Sequence, residues 1–302
     1  MTKSSSESDV SQATQVRRAT RGRKILYVVA AFAIAIIIGC AYLSQDTLIN
    51  TLFGPPAVEM TEAYESKPDG PAFDHGAFDT LLRKYVNENG GVDYAGLQED
   101  REQLRAYIQQ IGQADVDSLG RNQKLTLLIN AYNAFTLELI LDHWDSGQLK
   151  SIRDIPSAQR WDAVRWKVGS NTWSLNQIEH EQIRPKFVEP RIHFALVCAA
   201  VGCPPLRSEA YVAERLDAQL HEQAAYVHTH DLWMRLAASG RVVHLTQLYN
   251  WYGGDFKQSA GSVLAYVGQY VPQVKQAIDA GDSMSIQWLD YDWSLNSQQN
   301  IP

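Results

Sequence analysis

The chain has 302 residues, 45% hydrophobic and 20% charged, an ordinary globular composition that excludes a fibrous repeat or wholesale disorder. Its net charge of -7 is unevenly spread: residues 1–24 hold six cations against two acids, and the remainder holds 21 cations against 32 acids. A body that acidic is repelled by a phosphate backbone, which argues against nucleic acid as a partner.

Residues 1–16 are rich in Ser, Thr and Gln, and Arg17, Arg18, Arg21, Arg23 and Lys24 follow. The segment 1–24 is expected to be a disordered basic tail on the cytoplasmic side. From Ile25 to Ser44 there are twenty residues without a charge. That is enough apolar length for a helix to cross a bilayer with its backbone groups satisfied internally. The basic flank precedes the run, while Gln45 and Asp46 follow it. The reading is a signal-anchor helix with the body outside the cytoplasm, periplasmic in a Gram-negative cell. Ile37-Ile38-Gly39-Cys40 resembles a lipobox; twin-arginine export and a removable leader are the other readings, and all deliver the body to the same compartment. Residues 45–72, with Gly54-Pro55-Pro56, Lys67-Pro68 and Gly70-Pro71, read as a linker, and 73–302 as the domain.

Within the domain, Phe78, Leu81, Leu82, Tyr85 and Val86 fall at helical spacing, as do Leu104, Tyr107, Ile108 and Ile111. From Asn122 to Trp144 the chain is apolar on nearly every side, which predicts a helix buried all round. Trp161 to Val168 and Thr172 to Leu175, separated by Gly169-Ser170-Asn171, predict a hairpin. Ser174 with Gln177 predicts a capping box opening a helix that runs to about Arg184. Val212 to Val227 and Ser262 to Ala280 read as helices, and Arg241 to Leu245 and Ser285 to Leu289 as short strands. The fold class expected is α+β: a helix-dominated single globular domain with a small β component, preceded by one transmembrane helix.

Polar chemistry is densest from Pro190 to Pro205, where His193-Phe194-Ala195-Leu196-Val197-Cys198 leads to Gly202-Cys203. Asn130-Ala131-Tyr132-Asn133 and Ile178-Glu179-His180 lie upstream, and Asn250-Trp251-Tyr252-Gly253-Gly254-Asp255-Phe256 and Tyr291-Asp292-Trp293 downstream. Together these blocks resemble the domain-of-unknown-function 547 family over roughly residues 75–295. The resemblance implies homology and no agreed activity.

A thiol near histidines invites a nucleophile and base reading, with Cys198 as nucleophile and His193 or His180 as base. Residues five apart diverge on both a strand and a helix, so His193 and Cys198 meet only if the chain turns between them. Glu179 falls between Leu175 and Ile183 by helical angle and needs a partner; it can orient a histidine or pair with Arg184 or Arg191. Asn130 and Asn133 share a face of the buried helix, and their amides either bind a developing oxyanion or pin a neighbouring loop. Gly202 lets the backbone approach a ligand or take a positive φ. Cys198 and Cys203 can equally form a disulfide or remain buried thiols, and His180, His193, Cys198 and Cys203 are enough ligands for zinc without strong zinc spacing. Trp251, Tyr252, Phe256 and Trp293 line a groove or complete a core. His221, His228 and His230 are expected to be solvated, and Asp255 and Asp292 have no evident partner.

The leading reading is a thiol-dependent hydrolase or acyl-transfer enzyme acting on a small molecule or peptide. A non-catalytic binding or scaffold domain with a structural Cys198–Cys203 disulfide and a metal-binding module are the alternatives. No cofactor is assigned, the membrane is contacted through residues 25–44, and the oligomeric state is left open.

Overall fold

Helical spacing in the first half of the domain produces three packed helices in the computed structural model, which describes residues 55–301 apart from 66, 68, 69, 146 and 147. Helix α1 (Gly76–Tyr85) buries Phe78, Leu81, Leu82 and Tyr85. Helix α2 (Tyr94–Glu99) starts where the Asp93 side chain accepts the Gly96 N–H, and α3 (Arg101–Ile111) buries Leu104, Tyr107 and Ile111. The predicted segment 25–44 lies outside the described residues. Among the described residues no helix is long and apolar enough to cross a membrane.

The centre is α4 (Arg121–Asp142), buried continuously from Gln123 to Leu141, as its apolar surround predicts. Gln123 Oε1 accepts the Gly120 N–H at 3.1 Å, which gives the helix start a side-chain partner. The carboxylate of Glu138, buried near the other end, is held by Arg101 and Arg105, so its desolvation is offset by charge-assisted bonds.

The hairpin is shorter than the sequence predicts. Strands β1 (Trp166–Val168) and β2 (Asn171–Trp173) pair antiparallel, Trp166 against Trp173, through a turn with Gly169 at φ 57°. Trp166 stacks on Phe135 of α4, centroids 4.7 Å apart. The capping box forms, with Ser174 Oγ accepting the Gln177 N–H at 3.1 Å and Gln177 Oε1 accepting the Ser174 N–H at 3.0 Å. It opens α5 (Leu175–Gln177), which continues as a π-helix over Ile178–Ile183.

The second half builds its own apolar cluster. Helix α6 (Leu216–Thr229) packs beside a three-stranded sheet in which β4 (Val242–Leu245) runs antiparallel to β3 (Met234–Leu236) and parallel to β5 (Ser285–Trp288). Between β4 and β5 lie α7 (Leu248–Trp251), α8 (Gly253–Ala260), α9 (Val263–Val267) and α10 (Pro272–Asp279). Strand β3 is absent from the sequence reading because its three residues carry too little alternation to register. The helix expected over Ser262–Ala280 is divided: Pro272 lacks an N–H and holds Val271 extended at ψ 96°, so the helix restarts there.

Two further expectations are corrected. His228 is buried, its Nδ1 against Ala224 O at 2.6 Å and its Nε2 against Tyr249 Oη at 2.6 Å. It continues the row of Leu220 and Ala224, one helical turn at a time, so it lies on the apolar face of α6. The linker reading also ends too late. Residues from Pro56 belong to the same compact unit as the domain, with the N–H groups of Thr61 and Ala63 bonded to the carbonyls of Pro185 and Lys186. Glu62 pairs with Arg121, and Tyr64 packs on Phe187.

Candidate active site

The cysteine loop is built from a short 3-10 helix, Pro190–Phe194, whose N-terminus is capped by Glu189 accepting the Arg191 N–H. The next residues are fixed by α4: Asn133 Nδ2 donates to Ala195 O and Asn133 Oδ1 accepts from Val197 N, both at 2.9 Å. Asn130 does the same for Tyr211, donating to its carbonyl at 2.9 Å and accepting its N–H at 3.0 Å. Both amides therefore hold loop backbone.

After Cys198 the chain turns sharply at Ala199, whose φ of 60° is a left-handed conformation that a non-glycine residue rarely adopts. The turn folds Cys203 back under Cys198. The loop is docked on the C-terminal segment, with Gly202 N donating to Asp292 O and Val201 N to Ser294 O, each at 2.8 Å. A Cβ on Gly202 would stand 2.9 Å from Asp292 N and 3.0 Å from the Tyr291 ring. The close approach that Gly202 permits is thus to the protein's own Tyr291.

Both cysteines are free thiols. Cys203 Sγ accepts the Cys198 backbone N–H at 3.0 Å and the Tyr291 hydroxyl at 3.1 Å. Cys198 Sγ lies 3.3 Å from the same Tyr291 Oη. That hydroxyl has one proton; donating it to Cys203 leaves its oxygen to accept the Cys198 S–H. Burial pushes the Cys203 thiol up, but the Cys198 thiol, the Tyr291 hydroxyl and the Cys198 and Ala200 backbone outweigh it and bring its pKa below the ordinary thiol value. The Cys198 thiol is held well above that value, first by its bond to Cys203 and then by burial. Tyr291 is kept protonated by burial and by the two sulfurs. Within the pair, Cys203 therefore gives up its proton more readily than the partly exposed Cys198.

The histidines are engaged elsewhere. His193 Nε2 meets Asp255 Oδ2 at 2.9 Å and its ring stacks on Tyr252 at 3.8 Å. Burial lowers its pKa despite Asp255, so it reaches the carboxylate as a neutral N–H donor. The cation on Asp255 is Arg184, in a two-pronged bond at 2.8 and 2.9 Å. Burial alone would raise the Asp255 carboxyl, but the His193 and Arg184 donors bring it down to about 2. His180 Nδ1 lies 3.2 Å from Arg184 Nη1 and accepts from it, which puts the imidazole proton on Nε2. Burial, ahead of its neighbours, lowers this histidine too.

The π-helix arranges this group. Its Arg184 N–H bonds to the Glu179 carbonyl, five residues back, and such turns recur at functional sites. Glu179 is buried, with His180 at 3.8 Å, and it helps burial raise the Tyr252 hydroxyl. Arg184 pairs with Asp255 and Arg191 with Glu189 and Asp217, so neither is the direct ion-pair partner of Glu179. Tyr132 is raised by burial and then by Glu179, Cys198, Tyr252 and Cys203, which puts these groups in one electrostatic neighbourhood. Among the described residues, no three His, Cys, Asp or Glu side chains are grouped to hold a metal ion.

Half-buried rings flank the thiols. Tyr291 lies 4.8 Å from Trp293 and 4.9 Å from Trp251, and Trp161 continues the row 6.1 Å from Trp293. Phe256 is fully buried in the second apolar cluster. Two surface clefts, of about 350 and 610 Å³, are lined by Arg105, Glu138 and Arg165 and by His75, Arg83 and Thr126, away from either cysteine.

Sequence reasoning passed over Tyr291, Asp255 and Arg184 as members of the site. Asp255 offered one signal, a carboxylate beside the apolar Phe256 in a helix. Tyr291 offered none, since its link to Cys203 spans 88 residues.

Residues 116–226 match the family model described as Protein of unknown function, DUF547, and over that segment the chain is similar to this family. The segment contains α4, the π-helix, Cys198 and Cys203; Asp255 and Tyr291 lie beyond it, within the wider span over which the sequence blocks resemble the family. No curated protein and no solved structure gives a significant match.

Proposed function

We propose that this protein is a thiol-dependent enzyme, tethered to a membrane through residues 25–44 with its domain outside the cytoplasm, that acts on a small molecule or peptide through Cys198. The observation that carries this reading is the convergence of the Cys198 N–H and the Tyr291 hydroxyl on Cys203 Sγ, with Cys198 Sγ against the same hydroxyl. Cys203, when ionised, is the proton acceptor for Cys198, the more exposed cysteine, in the place where the sequence suggested an imidazole. Nucleophilic attack by Cys198 follows once its proton passes to Cys203, directly or across Tyr291 Oη.

The test is the alkylation rate of the full chain in detergent at neutral pH, read by peptide mass so that Cys40 is counted separately. Alkylation of Cys198 should depend on its neighbour: Cys203→Ser should slow it without unfolding the domain. A rate indifferent to Cys203→Ser would overturn the reading.

A further inference from the structure

We infer that Cys198 and Cys203 form a redox couple that exchanges with disulfide substrates, a reading that rests on the thiol centre proposed above and names its substrate class. A lone nucleophile for acyl groups needs one sulfur, a base and a set of oxyanion donors. This site differs on each point. A second sulfur, Cys203, accepts the backbone N–H of Cys198 at 3.0 Å, and both sulfurs contact one hydroxyl, Tyr291 Oη, at 3.3 and 3.1 Å. The imidazoles of His180 and His193 are engaged by Arg184 and Asp255. The amides of Asn130 and Asn133 are bonded to loop backbone. Cys198 is a partly exposed residue and Cys203 is 4% exposed, the division of labour that an attacking and a resolving cysteine require.

The chemistry balances on these groups alone. The Cys203 thiolate takes the Cys198 proton, and Cys198 sulfur attacks one sulfur of the substrate disulfide. The substrate S–S bond breaks, and the departing sulfur takes the bonding electron pair and the proton held by Cys203. The regenerated Cys203 thiolate attacks Cys198 sulfur in the mixed disulfide, and the second substrate sulfur leaves as a thiolate. The substrate is reduced by two electrons and the cysteine pair is oxidised by two. Turnover then needs an external thiol to re-reduce the pair.

Tyr291 is a positioning residue in this scheme: its bond to Cys203 stabilises the dithiol form and disappears when the sulfurs join. Its half-buried neighbours Trp251 and Trp293, with Trp161 beyond Trp293, provide apolar surface around the hydroxyl that touches Cys198, for the groups flanking a substrate disulfide.

The experiment equilibrates the detergent-solubilised full chain in glutathione buffers of varied [GSH]²/[GSSG], followed by acid quench, alkylation and peptide mass mapping. The expected result is a reversible change between dithiol and an intramolecular 198–203 disulfide within the range of these buffers. Cys203→Ala should accumulate glutathione on Cys198 without resolving it, and Cys198→Ala should leave Cys203 unmodified. Tyr291→Phe should require about tenfold more [GSH]²/[GSSG] to stay reduced, the loss of one hydrogen bond to a charged sulfur. Should Cys203→Ala fail to fold, Cys203→Ser and the wild-type midpoint carry the same test. A pair that stays reduced at every ratio, or one that stays oxidised at every ratio as a structural disulfide does, overturns the inference. Cys198 alkylation that depends on Cys203 without exchange would leave the thiol enzyme standing and remove only the disulfide substrate; alkylation indifferent to Cys203 would remove both.

Discussion

Asp255 is the residue on which the buried charges depend. Its carboxylate faces the Arg184 guanidinium, and both side chains are 2% exposed. Neither can be hydrated if the other is lost. Asp255→Asn should therefore cost about 3–5 kcal/mol, the usual penalty for leaving a buried charge unpaired; urea unfolding of the variant against wild type measures it, and a change under 1 kcal/mol would show that water reaches Arg184. Gly202→Ala makes a different demand. Its new Cβ presses on Asp292 N and on the Tyr291 ring, so Tyr291 Oη should move off the sulfurs. The alkylation rate of Cys198 should fall in this variant, and an unchanged rate would separate Tyr291 from the thiol chemistry. At this scale the sequence was legible in part. Cys198, Glu179 and His180 announced themselves by type and by their place on predicted elements. Tyr291 and Arg184 act through distances that only the folded chain creates.

The elements were more legible than the site. Helix α4 declares itself because a run apolar on every side has only a buried helix as its stable form, and Leu128 on it is 2% exposed. Leu128→Ala should cost about 2–5 kcal/mol through lost transfer energy and a residual cavity, read as a lower melting temperature of the purified protein. An unchanged melting temperature would mean that α4 is not the centre of the core. The capping box at Ser174 was readable for the same reason, being a local pattern with a local cause. The π-turn after it was not, because its shifted bond from Arg184 N to Glu179 O accompanies the tertiary contacts of Arg184 with Asp255 and Pro56. Strand β3 and the break before Pro272 show the complementary limits: three residues carry no period, and a helical pattern can outrun its helix.

At the scale of the whole molecule, buried histidines make the fold acid-sensitive, His75 and His228 alongside His180 and His193. Burial brings His75 and His228 down to about 4 from an ordinary 6.5, against a weaker upward pull from Asp74 on His75 and from the Ala224 carbonyl on His228. The unfolded chain therefore binds protons first as pH falls. Their stabilisation is complete above pH 6.5, is lost between 6.5 and 4, and amounts to on the order of 3 kcal/mol each. Asp255, depressed to about 2 from 3.8, adds a loss only below pH 4. Calorimetry at pH 7, 5 and 4 should show the melting temperature falling at each step, and a flat profile would mean that these rings are hydrated in the native state. The α+β architecture was legible from composition and periodicity, whereas the packing of residues 56–65 on the domain was not, because Pro- and Gly-rich sequence looks the same tethered or docked. For the segment 25–44, a reporter active only outside the cytoplasm, fused after Pro302, should be active in membrane-localised protein; inactivity would reverse the proposed orientation.

The thiol centre is tested most directly by titrating the ultraviolet absorbance of thiolate in the reduced protein, with Cys40→Ser as background, against the same protein carrying Cys203→Ser. The expected result is one thiolate per molecule appearing below the ordinary thiol value of 9.0, abolished by Cys203→Ser and shifted upward by Tyr291→Phe. Two thiols that both ionise at or above that value, unchanged by Tyr291→Phe, would contradict it.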